Sequence, residues 1–175
     1  MSLDQVRIPQ ERISVLIGKS GENKKLLEKK TKTKIKVDSK EGIVTIEGEA
    51  LDVYNAKPIV KAVGHGFKPN IAEELLNEEN TFEVVSLKDF ARSANDLLRI
   101  KSRVIGSKGT CKSYIESITK TTIVVYGKTV GIIGKSGNCF AARQAVEKLL
   151  QGARHGNVYA WLEKKMREER TKEHP

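Results

Sequence analysis

The chain has 175 residues, 38% of them hydrophobic and 31% charged, with a formal net charge of +10. That length allows one or two small cores. The basic excess points to a polyanionic partner, a balance shared with ribosome-associated and membrane-surface proteins. No window reaches the roughly 20 apolar residues of a membrane span, and Met1–Arg12 lacks the apolar core of a signal peptide, so a soluble, cytoplasmic protein is expected. Cys111 and Cys139 have no CxxC spacing and the three histidines are scattered, which argues against zinc; both cysteines are expected in the core, and no cofactor or metal is expected.

In chain order, Val6-Arg7-Ile8 reads as a short strand. A helix-compatible stretch over Arg12–Ile17 runs into Gly18-Lys19-Ser20-Gly21, and a helix follows over Glu22–Thr31, with Leu26 and Leu27 expected inward. Strands are predicted over Lys34–Val37 and Ile43–Glu47, joined by a turn-like Asp38–Gly42, with a closing helix over Leu51–Val63. His65-Gly66 precedes an amphipathic stretch, Asn70–Asn77.

The same order then returns. It comprises a strand over Phe82–Val85, a helical stretch over Leu97–Ile105, the loop Gly106-Ser107-Lys108-Gly109, and a helix over Thr110–Thr119 with Tyr114, Ile115 and Ile118 inward. Strands over Thr122–Tyr126 and Val130–Ile133 flank Gly127-Lys128-Thr129, and a closing helix spans Asn138–Leu150. His155-Gly156 then leads into a tail, Asn157–Glu173, whose Val158, Trp161, Leu162 and Met166 recur at helical spacing and should lay one apolar stripe on the second domain.

The two loops lie 88 residues apart, and at that offset Leu16 meets Val104, Ile17 meets Ile105, Lys24 meets Lys112, Leu27 meets Ile115, Thr33 meets Thr121 and Ile35 meets Ile123. After a turn two residues shorter in the second copy the offset is 86, and Val44 meets Val130, Gly48 meets Gly134 and Ala56 meets Ala142. This is a duplicated β-α-α-β-β-α unit, an α+β fold in which each copy forms a three-stranded antiparallel sheet backed by helices.

Glycine at both ends of each loop lets the chain turn tightly and a phosphate backbone approach, and the start of the next helix favours an anion. Lys19, Lys24, Lys108 and Lys112 add charge there; the alternative is a plain helix corner capped by glycine. A third pair, Gly134-Lys135-Ser136-Gly137, aligns with a strand-to-helix turn and is expected to serve it, with Ser136 or Asn138 as helix cap. A Walker A loop would require glycine where Ile13 and Thr129 stand, no Gly-x-Ser-x-Gly occurs, and the histidines pair with no acid at catalytic spacing. The chain reads as a binder, not an enzyme. Aromatics at 5% disfavour a base-stacking platform.

The element order with Ile-Gly-x-x-Gly between the first two helices resembles the type I KH domain, whose loop clamps the backbone of about four nucleotides. The resemblance implies two RNA-binding sites: Ile17, Gly18, Lys19, Ser20, Gly21 and Lys24 in the first unit, and Arg103, Ile105, Gly106, Ser107, Lys108, Gly109 and Lys112 in the second. It also implies an aliphatic groove of Ile17, Ile35 and Val37, repeated as Ile105, Ile123 and Val125, with Arg103 offering a charged hydrogen bond to a base or phosphate. The implied domains are 1–66 and 81–153, with a helical joiner at 67–80 and a helical tail at 154–175.

Over almost its whole length, and in Leu149–Glu163 (LLQGARHGNVYAWLE) in particular, the chain resembles archaeal members of the partner-of-Nob family, KH proteins of small ribosomal subunit assembly. That resemblance implies binding of single-stranded RNA near the 3′ end of the small-subunit rRNA, cooperation with the Nob-type endonuclease and other assembly or translation factors, and no membrane partner. A KH factor of early subunit assembly and an exosome-associated RNA-binding subunit are the alternatives; the latter carries an S1 barrel that this sequence lacks.

Overall fold

A computed structural model describes residues 1–174. The chain divides into two compact units, the first Met1–Asn80 and the second beginning at Thr81. The first runs β1 (Ser2–Arg7), α1 (Gln10–Ile17), α2 (Glu22–Thr31), β2 (Lys34–Asp38), β3 (Ile43–Gly48), α3 (Ala50–Gly64) and α4 (Pro69–Ala72), the last continued by a 3-10 turn at Glu73–Leu76. The second repeats this as β4 (Asn80–Ser86), α5 (Ala94–Ile105), α6 (Thr110–Thr119), β5 (Thr122–Tyr126), β6 (Thr129–Lys135), α7 (Ser136–Leu150) and α8 (His155–Glu173). In each unit the last strand is central, in the orders β1-β3-β2 and β4-β6-β5. Elements begin two or three residues earlier than the periodicity places them at α1, α5, α7 and β4, and four earlier at β1.

The alternation of β3 sends Val44 and Ile46 inward, fully buried, as are Ala56 and Val60, and Leu16, Leu27 and Ile35 are buried in the same unit. The second core is built alike from Val104, Ile115, Ile123, Val130, Ile132, Ala142 and Val146. Cys111 and Cys139 lie in that core at 1% and 0% exposure, as expected of filler, and burial pushes both thiols up in pKa.

Each unit turns from its second helix into edge strand β2 or β5 through a lysine in the left-handed region, Lys32 at φ 57° and Lys120 at φ 53°. A buried hydroxyl pair brackets that residue: Thr31 to Thr33 at 2.7 Å, Thr119 to Thr121 at 2.8 Å. Gly48 and Gly134 lie against these threonines; a Cβ on Gly134 would stand 2.8 Å from Thr121 Cγ2. Gly134 is therefore a glycine inside strand β6 required by packing, not one serving the strand-to-helix turn as expected. Helix α7 begins on Lys135 without a side-chain cap, so neither Ser136 nor Asn138 has the capping role expected of it.

The closing turns correct the alignment too. The pairing of His65-Gly66 with His155-Gly156 is four residues off. Gly66 and Gly152 share φ 102°, and the amides of both donate to the carbonyl three residues earlier, at Val63 and Leu149. The offset of 86 thus continues through the turn, making α4 with its 3-10 extension the short counterpart of α8. On α8, Val158, Leu162 and Met166 are buried as expected, while Trp161 is half-buried with Lys148 over its ring at 4.6 Å.

In the first unit Arg12 fastens this turn: its Nε donates to Val63 O and its Nη2 to Phe67 O, both at 2.8 Å. Arg12→Ala leaves two carbonyls short of a charged donor and should cost about 2–3 kcal/mol, read as a lowered urea midpoint. Gly134→Ala should destabilise by about 1–3 kcal/mol through overpacking. Gly137→Ala, with open space around it, should be neutral or stabilise by up to about 1 kcal/mol. Thermal melts of the two glycine variants separate a packing glycine from a dispensable one.

Candidate nucleic-acid interface

Each Gly-x-x-Gly loop is a corner with no spare residues. Helix α1 ends at Gly18 (φ 75°, ψ 177°) and α5 at Gly106 (φ 78°, ψ 173°), a backbone region essentially closed to L side chains. Space forbids a side chain as well: a Cβ on Gly18 would lie 2.6 Å from Asn23 Cγ, and one on Gly106 2.7 Å from Cys111 N. Ser20 and Lys108 follow at φ 55° and 54°, then Gly21 and Gly109 at 77° and 75°, all left-handed, before α2 and α6 begin. Lys19, Ser20, Ser107 and Lys108 are exposed at the tips. The helix N-termini behind the tips differ in charge, since α2 carries Glu22 in its first turn and α6 carries no acid there. The positive end of the α6 dipole is therefore less offset at the second loop.

Lys24 and Lys112 lie one turn further along, each held in an ion pair with the residue four positions on: Lys24 to Glu28 at 3.1 Å, Lys112 to Glu116 at 3.0 Å. The second oxygen of each carboxylate accepts an edge-strand amide, Ile35 N–H at 3.0 Å and Ile123 N–H at 2.9 Å. Sequence reasoning missed both glutamates, although their offset of 88 was there to read. Of the residues expected in the aliphatic groove, Ile17, Val37, Ile105 and Val125 are half-buried. Ile35 and Ile123 are only 1% exposed, so they belong to the core and not to the groove.

Arg103 departs most from expectation. Its guanidinium donates to Leu149 O at 3.3 Å, through Nε, and to Ala153 O through Nη2. These are the carbonyls equivalent to those Arg12 holds in the first unit. Arg103 is thus engaged through Nε and Nη2 with the turn between α7 and α8, while also lining the cleft beside the second loop. The same clamp is built from positions about one helical turn apart, 12 and 103, where the repeat alignment pairs 103 with Val15.

Leu26 and Tyr114 occupy matched positions and fare differently. Leu26 is 44% exposed, against the inward placement expected. Tyr114 stacks on Tyr159 of α8 with ring centroids 4.1 Å apart, and its hydroxyl donates to Glu163. That acceptor pushes the Tyr114 phenol up to about 12. At the position matching Tyr159 the first unit has Glu73, which pairs instead with Lys30 at 2.6 Å. A cleft of about 430 Å³ opens between the second loop and α8, lined by Ser102, Arg103, Ser107, Thr110, His155 and Tyr159 among others. No group of three or more His, Cys, Asp or Glu among the described residues could hold a metal ion, and no described helix is long and apolar enough to cross a membrane.

Comparison with known proteins places this geometry. Residues 81–167 match the eukaryotic-type KH domain, type I, in the form of the second domain of PNO1, and residues 4–62 match the KH domain. A KH domain-containing protein of Methanocaldococcus jannaschii is 43% identical over 168 residues, covering 93% of this chain and 74% of that protein. The RNA-binding protein pno1 of Dictyostelium discoideum is 35% identical over 75% of this chain, which spans 55% of that longer relative. Dim2p of Pyrococcus horikoshii, in its crystal structure with a/eIF2alpha and rRNA, superposes with a TM-score of 0.89 at 42% identity, with 95% of each chain covered. Two matched corners, two matched sheets and these relationships together make the chain a member of the PNO1/Dim2 family of tandem KH-domain proteins.

Proposed function

We propose that this protein binds single-stranded RNA near the 3′ end of the small-subunit rRNA and acts in small ribosomal subunit assembly, holding RNA without cutting it. The observation that carries the reading is the pair of glycine corners, each presenting exposed Lys and Ser at a helix N-terminus next to a half-buried isoleucine, Ile17 or Ile105. Family membership supports it: relatives are pre-rRNA-processing and RNA-binding proteins, and Pyrococcus Dim2p has been crystallised with rRNA. The domains would then be KH modules at 1–66 and 81–153, with the helices of 67–80 and 154–175 added to them, and the site of action the cytoplasm. A Nob-type endonuclease would be the partner that cuts. The a/eIF2alpha in the Pyrococcus complex supports a translation-factor partner as well.

The second loop is the main RNA clamp in this reading. Phosphate approaches the α6 N-terminus without meeting an acid, whereas Glu22 stands at the mouth of the first. Lys24 and Lys112 enter with their charge partly offset by Glu28 and Glu116, so the exposed tips, Lys19, Ser20, Ser107 and Lys108, carry the phosphate contacts.

Replacing Ser107→Asp together with Lys108→Asp puts two negative charges where phosphate would lie, and aspartate tolerates the left-handed conformation at 108. Binding of a labelled single strand matching the rRNA 3′ end should fall at least about 30-fold, equivalent to the roughly 2 kcal/mol expected of a lost charged contact, with an unchanged circular dichroism spectrum. Lys19→Asp with Ser20→Asp should weaken binding less. Full affinity in the second-loop variant sinks the assignment. Phosphate contacts also require log K to fall with log salt at about −0.7 per phosphate neutralised; a flat salt response contradicts the reading.

A further inference from the structure

The helix before each Gly-x-x-Gly loop stops abruptly, so a carbonyl in its last turn has no amide four residues on to receive. In the first unit this is Val15 O, and Asn23 supplies the donor: its Nδ2 lies 3.0 Å away. Asn23 is the second residue of α2, so the first corner is closed by its own two helices. In the second unit the equivalent carbonyl is Arg103 O. The residue matching Asn23 is Cys111, buried, with its sulfur hydrogen-bonded to Tyr159 and away from this role. The donor comes instead from 52 residues along the chain: His155 Nε2 at 2.9 Å from Arg103 O. His155 is the first residue of α8, and Pro69 stands at the matching place in α4, with no side-chain donor to offer.

We propose that His155 is a positioning residue for the second RNA-binding loop, so that the clamp at Gly106–Gly109 is set by the docking of α8, while the clamp at Gly18–Gly21 is self-contained. This rests on the RNA-binding reading of that loop. Three contacts fasten the last turn of α5 to the α7–α8 turn and α8: the Arg103 side chain on Leu149 O and on Ala153 O, and its main-chain oxygen on His155. Tyr159, one turn further along α8, lies 6.2 Å from the His155 ring, edge to face, and stacks on Tyr114 of α6. The helices on both sides of the loop are thereby held by α8. By linkage, RNA on the loop and α8 on the domain favour each other.

The test uses the full chain and three variants: His155→Ala, His155→Gln, whose amide can reach the same carbonyl, and His155→Ala with Cys111→Asn, which installs the first unit's own closure. Two quantities are measured, the affinity for the labelled single strand and, without RNA, amide exchange at Gly106, Ser107, Lys108 and Gly109. Loss of one hydrogen bond should weaken binding about 3- to 10-fold and speed exchange at these amides by a similar factor. Either second donor should bring both back to within about twofold of the native chain. Native affinity and native exchange in His155→Ala overturn the proposal. So does failure of both restoring variants while the circular dichroism spectrum is native. If His155→Ala does not fold, His155→Gln decides, since native loop exchange there supports the proposal and accelerated exchange overturns it. The Ser107→Asp, Lys108→Asp chain separates this result from the RNA reading. RNA binding that survives in that chain overturns the reading, while the exchange data, taken without RNA, still decide the role of His155.

Discussion

The fold around both sites depends on one backbone state, glycine at positive φ with ψ near 180°. At Gly18 and Gly106 this conformation ends one helix and aims the chain into the next within four residues. A looser connection would let the two helices splay; a side chain would collide with Asn23 or with the backbone of Cys111. From that corner follows the exposure of the two tip residues, the unpaired helix N-terminus behind them, and the unpaired carbonyls at the end of the helix before them. The donor side of the corner is offered to a ligand; the acceptor side has to be satisfied from within the protein.

The two copies satisfy it with different residues. Asn23 does in the first what His155 does in the second, and Arg12 does from one helical turn what Arg103 does from the next. The closing helix is tied to the first strand by Lys57 and Asp4 in one unit and by Arg143 and Glu83 in the other. What the duplication preserved is the backbone and its demands. Side chains that meet those demands have been exchanged, and in the second unit part of the work has passed to a helix the first unit has only in short form.

This explains which features were legible in the sequence. Element order, the inward faces of the central strands and both loops rest on local periodicity and on glycine chemistry, and the offset of 88 exposed them together. The turn-holding role of Arg103 was not legible because its partners lie 46 and 50 residues away, and no pattern near Val104 announces them. Leu26 was sent inward on helical spacing alone, which cannot register that the first unit has the helix covering Tyr114 only in short form. The His-Gly pairing misled because identical letters outweighed register. Holding the offset of 86 would have matched Gly66 with Gly152 and shown α8 to be a repeated element.

The carboxylates of Glu28 and Glu116 have a consequence outside the groove. Strands β2 and β5 are sheet edges, and an open edge is a template on which another chain can add a strand. In both units the amide of a central edge residue, Ile35 or Ile123, is occupied by a carboxylate that is itself held by a lysine. A strand arriving there meets a half-buried charge pair in place of one vacant donor. At that one position each edge is closed to a further strand unless the ion pair gives way.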